Sequence, residues 1–405
     1  MRVLLVAPNA SMRMGGEAIL PLHWLRELNA LGVSAALLTH ARCRDEIEAS
    51  TYRQFPVSYV EDSWLERRIW WLTQRLPGAM QRLGKFALTL VTMLRLGAAV
   101  RAMVAKDPVD VIHQIHPVSP RLASAITHRS IPVVIGPLNG NMTYPPGFAA
   151  HYGGGSERVE SALRGLSSVV HFFLRGKLKA ALVLVANERT TAGLPWQIKR
   201  SKVRVLVENG VDFRDCSDIA EMPDGPVRFI YVGRLVDWKA VDVLLEAVAE
   251  LGDAHSLTIC GDGPEMPRLK QQALELGIHN QVEFLGQVSQ PKVREQLKTH
   301  HALVLPSVYE CGGAVVLEAM AVGRAVIATD WGGPADYVTE ETGVLVPPRF
   351  ASFSRDLAAA MKRLADQPDK IREMGLVGRQ RVEAEFAWSQ KAEQMVEIYE
   401  DVFSD

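Results

Sequence analysis

The stretch Glu208-Asn-Gly-Val-Asp-Phe-Arg-Asp-Cys-Ser-Asp-Ile-Ala-Glu-Met-Pro-Asp-Gly-Pro226 decides the fold, because apolar runs of strand length recur on both sides of it. The stretch itself is polar and ends in turn-forming Pro and Gly, the composition of a connection between domains. Upstream the runs are Val3–Ala7, Ala35–Thr39, Val109–Ile115, Pro132–Gly136, Leu182–Ala186 and Val203–Val207. Downstream they are Arg228–Val232, Ser256–Cys260, Val282–Leu285, Ala302–Leu305, Ala325–Thr329 and Gly343–Val346. Helical patterns or long connections separate them, so each side reads as alternating β and α with a parallel sheet. The expected class is α/β, with two Rossmann-like domains in succession. Open sheets of this kind bind ligands at the carboxyl ends of their strands, which for two facing sheets means an interdomain cleft.

A chain of 405 residues is too long for one ordinary core. The expected domains are 1–210 and 211–380, with 381–405 a helical tail that packs back, the N-terminal domain being the expected host. The net charge of -1 conceals +12 over residues 1–210 and -13 over the remainder, so the halves face different partners or each other. No nucleic-acid partner is expected. Cys43, Cys216, Cys260 and Cys311 are scattered without a Cys-x-x-Cys pair, which suggests neither a disulfide framework nor a zinc site. A reducing cytoplasm is the simplest setting. The run Met1–Asn9 lacks the long apolar region and cleavage site of a signal peptide and reads as a first buried strand.

Phe86–Val104 is the longest apolar region, but Arg95 and Arg101 interrupt it, and no membrane span is expected. From Arg67 to Lys106 there are eight Lys and Arg and no acidic residue, interleaved with Ile69-Trp-Trp-Leu72. Two readings of 64–106 stand: an interfacial segment that meets anionic lipid, or a core-packed helix pair with a solvated basic face.

Four pieces suit phosphate handling. Met14-Gly-Gly-Glu17 follows the first strand and precedes a helix pattern beginning near Ala18. There Gly15 and Gly16 would let backbone amides approach an anion, or would simply make a tight turn. Tyr231-Val-Gly-Arg-Leu-Val-Asp-Trp-Lys239 leaves a strand with Arg234 and Lys239, a fixed fork and a flexible ammonium suited to a diphosphate. Cys260-Gly-Asp-Gly-Pro-Glu265 is a sharp strand-to-helix turn resembling a nucleotide-base loop. Lastly, Gly312 and Gly313 can open a helix whose first amides face an anion, with Glu310 just before it and Glu318 inside it among apolar residues. A carboxylate in such surroundings needs donors: ribose hydroxyls, or a structural ion pair.

Together these residues resemble the retaining glycosyltransferases of the large family 4, which have the GT-B fold. The likeness runs from the Gly-Gly loop through Glu208-Asn-Gly-Val-Asp212 and Val232–Lys239 to Glu310-x7-Glu318 and Val326-Ile-Ala-Thr-Asp-Trp-Gly-Gly-Pro334. The resemblance implies that Arg234 and Lys239 hold the donor diphosphate, Glu310 contacts the transferred sugar and Glu318 grips the ribose. Amides around Gly312, Gly313, Ala314 and Val315 meet sugar and phosphate, and Gly16 offers one from the other domain. The family often keeps a His after an N-domain strand near the reaction centre; here His113 and His116 compete, and His116 lies nearer the strand's carboxyl end. Asn139, in the loop Asn139–Phe148, is a candidate acceptor contact.

The sequence also departs from the family pattern. Lys239-Ala240 replaces Lys-Gly, Glu310-Cys-Gly-Gly313 replaces Glu-Gly-Phe-Gly, and Gly15-Gly-Glu-Ala18 replaces Gly-Gly-Ala-Glu. The implied function is transfer of a hexose, with retention, from a nucleotide diphosphate sugar, UDP-linked or else GDP-mannose, to a saccharide or lipid-linked saccharide. No Asp-x-Asp pair is present, so no metal and no cofactor are expected. The alternatives are another GT-B enzyme, such as a sugar-nucleotide epimerase, and a silent nucleotide-sugar-binding or membrane scaffold protein. A cytoplasmic enzyme, peripheral on the inner membrane face, is the implied location.

Overall fold

The computed structural model describes residues 1–14, 16–152, 170–214, 216 and 219–404. Its chain divides into two compact units. The first comprises Met1–Asn141, Val159–Glu208 and Trp388–Asp405; the second comprises Met142–Arg158 and Asn209–Ala387. Set against the expected boundaries, Met142–Arg158 groups with the second unit instead of the first, and the tail from Trp388 groups with the first.

The first unit is built on a seven-stranded sheet of β1 (Arg2–Val6), β2 (Ser34–His40), β3 (Val57–Val60), β4 (Val111–Gln114), β5 (Val133–Leu138), β6 (Leu182–Val185) and β7 (Val203–Val205). Their order is β3-β2-β1-β4-β5-β6-β7, and every pairing is parallel. The six expected runs all become strands. The seventh, β3, went unread because Val57-Ser-Tyr-Val60 is short, half-buried and at the sheet edge, where an apolar run is not required.

The second unit has six strands: β8 (Arg228–Val232), β9 (Ser256–Cys260), β10 (Val282–Gly286), β11 (Ala302–Leu305), β12 (Ala325–Thr329) and β13 (Gly343–Val346). The order is β10-β9-β8-β11-β12-β13, again parallel. Both sheets grow outward from their first strand in the two directions that define a Rossmann-like switch point. The central strands β11 and β12 are buried along their whole length, as expected of strands covered by helices on both faces.

Two helices fix the first unit. The chain re-enters it through the helix Trp388–Ser404, which lies against the helix Leu20–Ala30. Trp388 meets the buried Trp24 edge to face at 5.2 Å between ring centroids, and His23 stacks on Trp388. The helix Gly78–Lys106 places Met93, Leu96, Val100 and Val104 in the core cluster on the other side of the sheet. By length and composition alone its 24-residue portion Leu83–Lys106 would cross a membrane, which the interruption by Arg95 and Arg101 had argued against. One stripe of it instead packs as a core helix.

Candidate functional site

In the second unit the strand ends of β8, β9 and β11 are bound into one platform by backbone contacts that only glycine permits. Gly233 donates its amide to the Cys260 carbonyl, and Leu235 to that of Asp262. A methyl group on Gly261 would land on the Gly233 carbonyl, and one on Gly263 on that of Leu235. Cys260–Glu265 is therefore laid directly over Gly233–Leu235. The Val308 amide donates to the Trp238 carbonyl at 3.0 Å, which ties the loop after β11 to the turn Asp237–Lys239.

That tie explains the charge pair at its end. Lys239 Nζ donates to Glu310 Oε2, and both side chains are mostly buried. Glu310 is held on its backbone side as well: its carbonyl accepts from Gly333 at 2.8 Å, and side chains on Gly332 or Gly333 would collide with the carbonyls of Glu310, Cys311 and Gly312. Trp331 anchors the same turn by donating Nε1 to the Thr143 carbonyl at 2.8 Å. Gly332 and Gly333 stood in the motif quoted from the sequence but carried no expected role; their φ of +77° at Gly332 and their close approach give them one.

Gly313 caps the helix Ala314–Ala321 with a left-handed backbone, φ 77° and ψ 50°. The amides of Ala314 and Val315 stand in its first turn, where no intrahelical acceptor exists. Glu318 lies one turn further in, part-buried, and its carboxylate makes no hydrogen bond among the described residues. Burial raises its carboxyl above the usual range, and the charge of Arg294 opposes that rise. Arg234 is exposed at the end of β8 and carries no ion pair among the described residues. The second unit thus gathers a fixed cation-carboxylate pair, a free guanidinium, first-turn amides and an unbonded carboxylate at the carboxyl ends of neighbouring strands. Such a set can hold a diphosphate, a sugar and a ribose together.

Ala240 has φ 51° and ψ 38°, a left-handed conformation that costs a residue with a Cβ about 1–2 kcal/mol. That is the position where the family pattern has Gly.

In the first unit the two histidines separate cleanly. His113 is fully buried in β4, with Nδ1 bonded to Tyr399 Oη at 2.5 Å and Nε2 to the Gly136 carbonyl at 2.6 Å. Both nitrogens are occupied inside the core. His116 follows the strand's carboxyl end; its Nε2 lies 3.8 Å from Glu17 Oε2, and its buried Nδ1 makes no hydrogen bond among the described residues. Burial lowers both imidazoles to about 4, a pull that the Gly136 carbonyl partly offsets at His113. His116 is accordingly a neutral imidazole with an unused nitrogen, and Glu17, which sequence reasoning passed over, is its neighbour.

Gly16 is exposed in a turn with open space around it, and Gly15 lies outside the described residues. The helix expected near Ala18 begins at Leu20, with Pro21 in its first turn, where a residue without an amide hydrogen is tolerated. Gly16 is thus some residues removed from the helix start. Asn139 is buried rather than displayed: Nδ2 donates to Glu208 Oε1, and Oδ1 accepts from Thr190 at 3.4 Å. A direct contact with an acceptor is not what this geometry offers. Burial pushes Glu208 up to about 7, against the pull of Asn139 and Lys391.

Among the described residues, His40, Asp62 and Glu66 are the one group of His, Cys or acidic side chains close enough to share a metal ion. The Arg42 amide donates to His40 Nδ1, which leaves the hydrogen on Nε2, 3.2 Å from Asp62. Glu66 already accepts from Ser63, Thr92 and Arg95. Of the three, only Glu66 is fully committed to hydrogen bonds within the protein; His40 Nε2 makes none among the described residues and meets Asp62 as an ion-pair neighbour.

The two Rossmann-like units define a fold class, GT-B. Sucrose-phosphate synthase from Thermosynechococcus elongatus superposes over 100% of this chain and 99% of its own with a TM-score of 0.67 at 22% identity. HepE from Anabaena, solved in complex with UDP, does so over 99% and 100% with a TM-score of 0.65 at 16% identity. More particularly, residues 213–381 match the family model described as Glycosyl transferases group 1. Alpha-maltose-1-phosphate synthase of Mycolicibacterium smegmatis is 35% identical over 213 residues, 49% of this chain and 51% of that protein. Alpha-D-kanosaminyltransferase of Streptomyces kanamyceticus is 31% identical over 240 residues, 55% and 61% respectively. The chain spans about half the length of the curated relatives it matches first.

Proposed function

We propose that this protein is a retaining glycosyltransferase that moves a hexose from a nucleotide diphosphate sugar, UDP-linked in preference to GDP-mannose, to a saccharide or lipid-linked saccharide acceptor. The observation that carries the reading is Glu318, a part-buried carboxylate without a hydrogen bond, on the helix whose first turn follows the Lys239-bound Glu310. A desolvated acid is costly unless donors reach it, and ribose hydroxyls are donors of the right kind.

In this reading Arg234 and Lys239 neutralise the diphosphate and stabilise the leaving group, while Glu310 receives hydroxyls of the transferred sugar. The first-turn amides of Ala314–Ala321 add the partial positive charge of a helix N-terminus. No protein nucleophile is required, because the departing diphosphate can take the acceptor's proton on the face it leaves. His116, neutral and with an unused nitrogen, is suited to accept a sugar hydroxyl. The reaction proceeds without a metal or cofactor. The match over 213–381, which contains Arg234, Lys239, Glu310 and Glu318, supports the donor assignment, as do fold neighbours solved with UDP and with UDP-glucose.

Thermal-shift screening of UDP, GDP and ADP and their sugars tests the donor directly. A ligand at a hundred times its dissociation constant adds roughly 2.7 kcal/mol of stability. One nucleotide series should raise the melting temperature, and Glu318→Ala should remove most of that rise; no shift with any of them would count against the reading.

A further inference from the structure

The helix Trp64–Thr73 is inside out. Its inner seam, facing the helix Gly78–Lys106, is polar: Glu66 and Thr73 are buried at 1% and 2% exposure. The Glu66 carboxylate is capped by Ser63, accepts from Thr92 and pairs with Arg95 of the long helix. Gly84 lets that helix pass so close to Thr73 that any side chain there would strike it. The outer face is aromatic and basic. Trp64, Trp70 and Trp71 are 68%, 52% and 54% exposed, with Leu65 and Leu72 beside them. Arg67, Arg68 and Arg75 stand on the same face, and Arg75 lies over the Trp71 ring at 3.3 Å.

The long helix continues the pattern. From Thr92 onward it has a buried stripe, but Met80 and Leu83 are exposed and Lys85 stands with them, while Phe86, Leu88 and Leu90 are only half-covered. The hairpin tip therefore projects apolar and cationic groups beyond the core. Water alone gives no reason to hide a carboxylate and display three tryptophans. The polar seam fixes the hairpin's shape, so the outward face is built and not a consequence of loose packing.

We propose that this hairpin, Trp64 to Leu90, seats the protein on an anionic lipid bilayer. Charge complementarity selects that occupant: from Arg67 to Leu90 the hairpin has five cations, Arg67, Arg68, Arg75, Arg82 and Lys85, and no acidic residue, which favours a surface of phosphate headgroups. Indole rings prefer the headgroup depth, where one edge is wet and the other apolar. The helix enters only as far as the interface, because the stripe from Met93 to Val104 is already occupied by the sheet. The inference stands apart from the transferase reading, since it uses none of the donor-site residues.

The test is flotation of the full chain with vesicles of phosphatidylcholine alone or mixed with phosphatidylglycerol, at low and high salt. The expected result is binding to the mixed vesicles at low salt, weakened by salt, with a blue shift of tryptophan emission. Trp64→Ala/Trp70→Ala/Trp71→Ala and, separately, Arg67→Glu/Arg68→Glu should each reduce binding at least tenfold while leaving nucleotide-sugar binding and the thermal midpoint close to the parent's. Three results would each overturn the proposal: failure to float with anionic vesicles at low salt, flotation unchanged in both variants, or a stable dimer in solution that the tryptophan variant converts to monomer.

Discussion

His113 and His116 are three residues apart in sequence, yet their surroundings give them different uses. His113 joins the C-terminal helix to the sheet through Tyr399 and Gly136, whereas His116 keeps a nitrogen unbonded. The sequence left them open because both stand near one strand end; only the pairing partner 286 residues away separates them. Both imidazoles titrate at about 4 when folded, below the usual 6.5. Between those values the unfolded chain binds more protons, so their stabilising contribution is complete above pH 6.5 and is lost as pH falls towards 4. Urea midpoints should drop over that window, and drop less steeply in His113→Gln, which at pH 7 is less stable by about 1–3 kcal/mol. An equal pH slope in both proteins would contradict the assignment. The pairing of Lys239 with Glu310 was likewise illegible: each charge was placed, but no spacing rule joins residues 71 apart. Gly332→Ala should disturb that pair, since its methyl would strike the Glu310 carbonyl in a left-handed backbone. A loss of roughly 1–3 kcal/mol is expected, with weaker nucleotide-sugar binding measured by calorimetry.

At the scale of elements, strands were read more surely than helices. A strand in a covered parallel sheet announces itself as an apolar run, as β11 and β12 do, whereas the edge strand β3 does not. Helix starts were less legible: the turn after β1 runs on to Ile19 before Leu20–Ala30 begins. The helix Trp64–Thr73 is the instructive case, because its apolar residues face outward and its periodicity points the wrong way. Burial alone would raise Glu66, but hydrogen bonds from the Ser63 backbone and hydroxyl, from Thr92 and from Arg95 outweigh it and hold the carboxyl at about 2. Its contribution to stability is thus present above pH 4.5 and lost as pH falls through about 2. Glu66→Gln keeps the shape and removes the charge, and should cost about 2 kcal/mol in urea denaturation at pH 7. An unchanged midpoint would show that the seam does not hold the hairpin.

For the whole molecule, the two Rossmann-like units and the polar connection at Glu208–Pro226 were legible because two sets of apolar runs flank one segment without them. The regrouping of Met142–Arg158 was not legible, because the loop Asn139–Phe148 carries no pattern that marks where one unit ends. Within the first unit the helix Trp388–Ser404 is held by the Trp388–Trp24 contact together with Tyr399–His113. The charge asymmetry also acquires a location: part of the excess of Lys and Arg in the first half sits on the hairpin face. The central claim is that the second unit activates a nucleotide diphosphate sugar. Release of nucleoside diphosphate by the purified protein, across a panel of UDP- and GDP-sugars with and without chelator, tests it most directly. The account predicts slow release from one donor, unaffected by chelator and reduced at least a hundredfold in both Glu310→Ala and Lys239→Ala. Release that is absent with every donor, or undiminished in those variants, would contradict it.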